Sequence, residues 1–255
     1  MTRTLDLGAI ARVSGPADAA WRLVCLPHAG GSAGTYARLG AGLADPPHIV
    51  ALQYPGHETR IAEEPLTSYP EFVAAFAGVL GQLTSDGTPT VLLGHSFGAS
   101  LAAALSALIP VDLLVLSGRP APGRRRGGRL PADDDREAWR AWLRRLGGTP
   151  EVLLGDEPFL TLAIRALRGD LTAAAEFDRP GAAADAERGP LRAGGLLTVA
   201  GRDDPVAGPV AVAGWMPLLQ AGAIDHGTLV LEGGHFALLD HPELLLSRIR
   251  TAVGA

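Results

Sequence analysis

TVLLGHSFGASLAAALSALIP, residues 90–110, is an apolar run, a serine between two glycines, and a second apolar run. A small hydroxyl residue at the junction of two buried-looking segments needs an explanation. TVLLG reads as a strand covered on both faces and GASLAAALSALI as a helix, so GHSFG is the turn between them. G-x-S-x-G in that setting is a nucleophile elbow: Gly94 and Gly98 keep side chains away so that Ser96 can occupy a sharp, strained turn and project its hydroxyl. The N-terminus of the following helix favours negative charge developing there.

Working outward, short Val/Leu-rich runs recur at 21–27, 48–55, 90–94, 111–118, 195–201 and 227–234, with helix-like stretches at 69–83 and 98–109 between them. Alternating strand and helix predicts an α/β fold with a mostly parallel central sheet and helices on both faces. The alternation breaks between about 121 and 190, where the spacing is helical and the flanks are rich in Gly, Pro and charge. This segment is expected to be a helical lid inserted into a single domain spanning 1–255.

Composition limits the function classes. Net charge is −5, from 22 basic and 27 acidic residues, which argues against a general nucleic-acid surface. Every basic residue is Arg, and the chain has neither Lys nor Asn, a pattern read as genomic G and C bias. The single cysteine, Cys25, excludes an intrachain disulfide and sits in RLVCL as a buried strand residue. No run reaches the ~18 apolar residues of a membrane span, and the N-terminus has no apolar leader core, so a cytoplasmic protein is the default expectation; a monomer is taken only as a prior. No metal-ligand spacing, dinucleotide fingerprint or phosphate loop is present, so neither a metal nor a cofactor is expected.

A serine hydroxyl needs a base, and in this fold the chain order is Ser, then Asp or Glu, then His. Of the seven histidines, His226, His235 and His241 follow the elbow. His235 stands on a Gly-rich loop after the strand 227–234, where catalytic groups of parallel sheets sit; His226 precedes that strand, and His241 is assigned to capping the last helix. The acid follows the strand LLTVA as Asp204, with Asp203 as the alternative, and its role is to orient the imidazole. The oxyanion hole draws on the N–H of Phe97 and an N–H of the loop PHAGG; Ala29 is assigned as the second donor, with His28 the runner-up. Trp139, Trp142, Leu143 and Leu146 form an apolar stripe suited to lining a channel or to packing on the core.

The segments LPHAGGSAGTY, LQYPGHETRIAEEPL, VLLGHSFGASLA, LSGRPAP, LRRLGGTPEVL, AGRDDP and LEGGHFALLDH, in order over residues 21–247, resemble the type II thioesterases that accompany polyketide synthases and nonribosomal peptide synthetases, within the α/β-hydrolase superfamily. The resemblance implies hydrolysis of acyl or aminoacyl thioesters on the 4′-phosphopantetheine arm of a carrier protein, an editing role in antibiotic biosynthesis. It places the family's nucleophile on Ser96, acid on Asp204, base on His235 and oxyanion donors on Ala29 and Phe97. Two positions depart from the pattern: Phe97 where Met is frequent, and His57 where Arg is expected in PGRE, both read as pocket or packing detail. The interval from Asp204 to His235 is longer than usual, with LLQAGAID as the insertion. Arg124, Arg125, Arg126 and Arg129 form a basic cluster on the connector, suited to docking an acidic carrier protein. Other readings of the same motifs are a chain-releasing thioesterase, an esterase, lipase or acyltransferase, and a catalytically dead binding module.

Overall fold

The computed structural model describes residues 7, 10–123, 130–132, 135–179 and 189–255. Its centre is a seven-stranded sheet in the order β1-β3-β2-β4-β5-β6-β7. The strands are β1 (Ala11–Ser14), β2 (Arg22–Leu26), β3 (His48–Leu52), β4 (Thr90–His95), β5 (Val111–Ser117), β6 (Ala193–Gly201) and β7 (Ile224–Leu231). Only β1 runs antiparallel, against β3; each remaining pair is parallel.

Residues two apart along a strand share a face, and the sheet sorts its side chains accordingly. Val24, Val50, Leu92 and Leu114 pack with Phe72, Leu101 and Leu160 on one side. Leu23, Ile49, Val91 and Leu113 pack with Tyr36, Leu245 and Ile249 on the other. The first side is covered by α2 (Tyr69–Leu83), α3 (Phe97–Leu108) and α6 (Glu157–Phe177), the second by α1 (Ala33–Ala37) and α7 (Pro242–Val253). Strands buried on both faces explain their near-continuous apolar character, each fully buried Leu, Ile or Val contributing about 1.5–3 kcal/mol. This is the mostly parallel α/β sheet with helices on both faces expected from the alternating elements.

Helix ends follow local chemistry. Helix α2 opens with a capping box from Ser68 and Glu71 and with Pro70 in its first turn. Between β5 and β6 stand α4 (Arg136–Leu146), α5 (Glu151–Leu154) and α6. Asp135 caps α4 by accepting from the Ala138 N–H at 2.9 Å, and Asp156 caps α6 by accepting from Phe159 at 2.7 Å. Trp139 and Leu143 of α4 are buried in the core, with Trp142 packed against it, so most of that stripe serves packing. The arginine cluster at 124–126 and 129 lies outside the described residues.

Two strand expectations shift. Strand β1 lacks a sequence signal, because ARVS alternates too briefly and leaves Val13 48% exposed at the sheet edge. Strand β7 begins three residues earlier than the run 227–234, so His226 lies inside it rather than before it, and the strand ends ahead of Gly233, whose φ is +110°.

Candidate active site

The carboxyl ends of β2, β4, β5, β6 and β7 bring the predicted site residues to one edge of the sheet. Ser96 follows β4 with φ 53° and ψ −116°, one of two non-glycine residues with positive φ among those described, Glu58 being the other. Such a conformation costs about 1–3 kcal/mol and persists only where its surroundings enforce it. The Ser96 N–H donates to Ser117 O at 2.8 Å, and the Ser96 carbonyl accepts from Ala99 at 3.0 Å, so β5 and α3 clamp the turn from both sides.

The flanking glycines are required by contact distance. A Cβ on Gly94 would lie 2.2 Å from the Gly98 carbonyl oxygen, and a Cβ on Gly98 would lie 2.0 Å from Leu26 O and 2.5 Å from Pro27 O. The elbow is therefore pressed against the end of β2, where the loop containing Ala29 begins.

His235 and Asp204 meet. His235 Nδ1 stands 2.9 Å from Asp204 Oδ2 and 3.0 Å from Oδ1, with both side chains almost wholly buried. An ionised carboxylate only accepts, so Nδ1 carries the proton, and it is Nε2 that offers a lone pair in the neutral ring. Asp204 Oδ1 also accepts from the N–H groups of Val206 at 2.7 Å and Ala207 at 3.2 Å. Burial pushes this carboxyl upward, but the His235 bond and charge and the two amides outweigh it and hold it below the usual carboxylate range. Asp203 is exposed, and its N–H donates to Gly233 O at 3.0 Å. Of the two acids, Asp204 is the one bonded to His235.

The imidazole is set beside the elbow by a ring cluster. His95, the chain neighbour of Ser96, lies 4.7 Å from the His235 ring, and Phe236 lies 5.1 Å from it. Gly118, with φ +60°, makes room: a Cβ there would fall 2.5 Å from His95 Cε1 and 3.1 Å from His235 Cε1. His95 Nδ1 bonds Ser117 Oγ at 3.1 Å, and burial, with the charges of His235 and His28, lowers its pKa well below the ordinary value. His28 bonds Tyr36 Oη through Nδ1 at 2.8 Å and is lowered to about 3, chiefly by burial. Both stay neutral around His235.

Hydrogen-bond accounting separates Ala29 from its neighbours. The N–H groups of His28, Gly30 and Gly31 donate to Tyr36 Oη, Asp170 Oδ2 and His28 O at 3.4, 2.7 and 2.9 Å. The N–H of Ala29 has no such acceptor among the described residues. The N–H of Phe97, first residue of α3, has no acceptor within its own helix. Its side chain is buried against Tyr54 and Phe72, at ring distances of 5.9 and 4.9 Å, which is why an aromatic ring fits where Met is frequent.

His57, read from sequence as pocket or packing detail, is buried and bonded through Nε2 to Asp170 Oδ2 at 3.0 Å. Asp170 itself had no sequence signal. His241 sits at the N-terminal boundary of α7, yet its ring bonds Glu232 O at 2.9 Å instead of capping that helix.

Beside the Ala29 turn lies a cavity of about 600 Å³ lined by His28, Gly30, His57, Leu153, Leu162 and Phe236 among others. A smaller one of about 60 Å³ lies between Ala29, Leu143, Leu146, Leu167 and Phe236. No group of metal-ligating side chains occurs among the described residues, and none of their helices is long and apolar enough to cross a membrane.

Comparison with known proteins fits this geometry. The thioesterase domain family matches residues 21–253. A "Probable cadicidin biosynthesis thioesterase" of Streptomyces griseus is 35% identical over 93% of this chain, which spans 64% of that relative's length. "Thioesterase PikA5" of Streptomyces venezuelae is 34% identical over 88% of this chain and 77% of its own. The type II thioesterase BorB from the borrelidin biosynthetic cluster has a solved structure that superposes with a TM-score of 0.78 at 36% identity, covering 96% of this chain and 98% of that one. The chain belongs to the thioesterase family, as the type II thioesterase motifs in its sequence imply.

Proposed function

We propose that the protein hydrolyses acyl or aminoacyl thioesters from the phosphopantetheine arm of carrier proteins in polyketide or nonribosomal peptide assembly, removing unproductive groups, with Ser96, His235 and Asp204 as its catalytic residues. The observation that carries this reading is the buried His235–Asp204 pair beside a strained serine elbow, in a chain of the thioesterase family.

Ser96 Oγ attacks the thioester carbonyl carbon while His235 Nε2 takes the hydroxyl proton. Asp204 holds the ring in the Nδ1–H tautomer and stabilises the imidazolium. The carbonyl oxygen becomes an oxyanion, received by the N–H groups of Ala29 and Phe97. Collapse breaks the C–S bond, and the departing thiolate takes the proton from His235. Water then attacks the acyl-serine with the same base, releasing the carboxylic acid and restoring the hydroxyl. No metal or cofactor enters these steps; the phosphopantetheine belongs to the substrate. Residues 121–190 act in this reading as a lid on a single domain of 1–255, and a carrier-bound substrate places the reaction in the cytoplasm.

The test compares one acyl group presented on a carrier protein, on coenzyme A and as a simple oxoester. The reading expects the carrier-bound thioester to have the highest kcat/KM and a serine-reactive phosphonate to label Ser96. A preference for oxoesters over every thioester, or no adduct on Ser96, overturns it.

A further inference from the structure

The loop that carries Ala29 is held from outside by two side chains with no role in the steps above. Residues His28–Gly31 form a turn closed by the Gly31 N–H donating to His28 O at 2.9 Å, with Gly30 at φ +73°. Positive φ at the third residue is the type II form, which differs from type I by a flip of the central peptide. Here that peptide joins Ala29 to Gly30, and its N–H donates to Asp170 Oδ2 at 2.7 Å. The carboxylate therefore bonds the one group whose direction distinguishes the two turns.

Asp170 is fixed in turn. The same oxygen is 3.0 Å from His57 Nε2, and His57 Nδ1 is 2.8 Å from Pro55 O. Carboxylate and carbonyl are both acceptors, so satisfying both requires a doubly protonated, cationic ring. Burial works against that charge, yet the Asp170 carboxylate raises the His57 pKa above its ordinary value. Asp170 is fully buried and its Oδ1 has no hydrogen-bond partner, so Oδ2 makes both contacts. Leu167, three residues earlier on the same face of α6, covers the turn so closely that a Cβ on Gly30 would lie 2.8 Å from it. Just past the loop, in the first turn of α1, Glu58 accepts the Gly34 N–H at 3.0 Å from its own left-handed conformation, φ 38°. The PGHE segment thus bears on the loop through His57 and Asp170, and on the start of α1 through Glu58.

We infer that His57 and Asp170 are positioning residues for the oxyanion hole: Asp170 anchors the Ala29–Gly30 peptide of the type II turn, His57 holds Asp170, and the turn that carries the Ala29 N–H is thereby kept in place beside the oxyanion. The inference rests on the reading of Ser96 as nucleophile and Ala29 as donor.

The experiment uses the full chain and its Asp170→Ala, Asp170→Asn and His57→Leu variants. It measures kcat and KM on an acyl N-acetylcysteamine thioester, the Ki of an alkyl boronic acid whose tetrahedral serine adduct places an oxygen in the hole, and thermal unfolding. Asp170→Ala is expected to lower kcat by about 10- to 100-fold, short of the 10²–10³ lost with a whole oxyanion donor, with KM nearly unchanged and the boronate Ki raised by the same factor. Asp170→Asn keeps an acceptor for the Gly30 N–H and restores most of both constants, whereas His57→Leu falls between. A folded Asp170→Ala with wild-type kcat and Ki overturns the inference, as does a loss of kcat with unchanged Ki, which marks a structural role alone. Should Asp170→Ala fail to fold, His57→Leu decides by the same constants, and a wild-type kcat and Ki in that variant refute the inference. Failure of the underlying reading shows separately, as wild-type protein that a phosphonate does not label at Ser96.

Discussion

Replacing Gly98 by alanine tests the site at its narrowest seam. The added Cβ would stand 2.0 Å from Leu26 O and 2.5 Å from Pro27 O, against 3.4 Å or more in ordinary contact, so helix α3 and the end of β2 must separate by about 1.4 Å. The atoms met are backbone, with no flexible side chain to give way. The seam runs between the two candidate oxyanion donors, with Phe97 on the helix side and Ala29 on the loop side, and opening it pulls them apart. A misplacement of ~1 Å in a reacting constellation costs about 10²-fold in rate, and overpacking a tight interface costs about 1–3 kcal/mol. The expected result is kcat/KM down by roughly two orders of magnitude and Tm lower by about 2–10 °C for a chain of this size. The control is Gly78→Ala, in α2, where nothing lies within 4 Å of the new Cβ; there alanine should raise stability by about 0.5–1 kcal/mol and leave the rate alone. The assays are steady-state hydrolysis of an acyl thioester and a thermal melt, run on both variants. A Gly98→Ala protein within threefold of wild-type kcat/KM and with unchanged Tm would refute the reasoning that this contact sets the donor geometry.

Asp204→Asn should lower kcat by about 10⁴, because an amide that donates to Nδ1 stabilises the wrong tautomer, while Asp203→Asn, at an exposed position, stays near wild type; steady-state kinetics of the two variants decide which acid serves His235. Stability should respond to pH in two opposite ways. His57 has a raised folded pKa, so its contribution is complete below the unfolded value near 6.5 and fades as pH rises through the folded one; His57→Leu should therefore cost more Tm at pH 6 than at pH 9. His28 and His95 are held neutral by burial, so the unfolded chain takes up protons first as pH falls below 6.5, and each group removes about 1.4 kcal/mol per pH unit, for His28 down to about pH 3. A His28→Gln variant whose Tm falls as steeply as wild type from pH 7 to pH 5 contradicts this. Trp139→Ala, at 0% exposure in the core beneath α4, should cost about 3–5 kcal/mol in denaturant unfolding.

The elbow and its partners were legible in the sequence because their signals are local or ordinal. Strand, turn and helix around Ser96 follow from spacing within some twenty residues, and chain order directs attention to Asp204 and His235. Ala29 is assigned ahead of His28 on its place in the loop alone; what the sequence cannot show is that Tyr36 and Asp170 occupy the N–H groups on either side of it. Asp170 was illegible for a different reason. A single acid in an amphipathic helix reads as a solvated position, and it is buried because a histidine 113 residues away in sequence reaches it. His57 was visible only as an irregularity in a motif, since its meaning lies in a contact between two distant loops and a helix. Strand β1 escaped notice because an edge position asks for neither length nor continuous apolar character.

Cys25, the sole cysteine, sits on β2 between β3 and β4 at 0% exposure, with burial pushing its thiol far above the range in which thiolate forms. It is bonded into the middle of the sheet, so a reagent can meet it only when the strands themselves come apart. The native chain thus carries its own reporter of global opening: the rate of alkylation by an excess of maleimide reads the unfolding equilibrium without any added label. For the same reason the folded protein already behaves as a cysteine-free background. One new cysteine on the outer face of α5, at the 79% exposed Val152, would take a fluorophore or a cross-linker alone. A probe there would report on α5 in a protein that is otherwise unaltered.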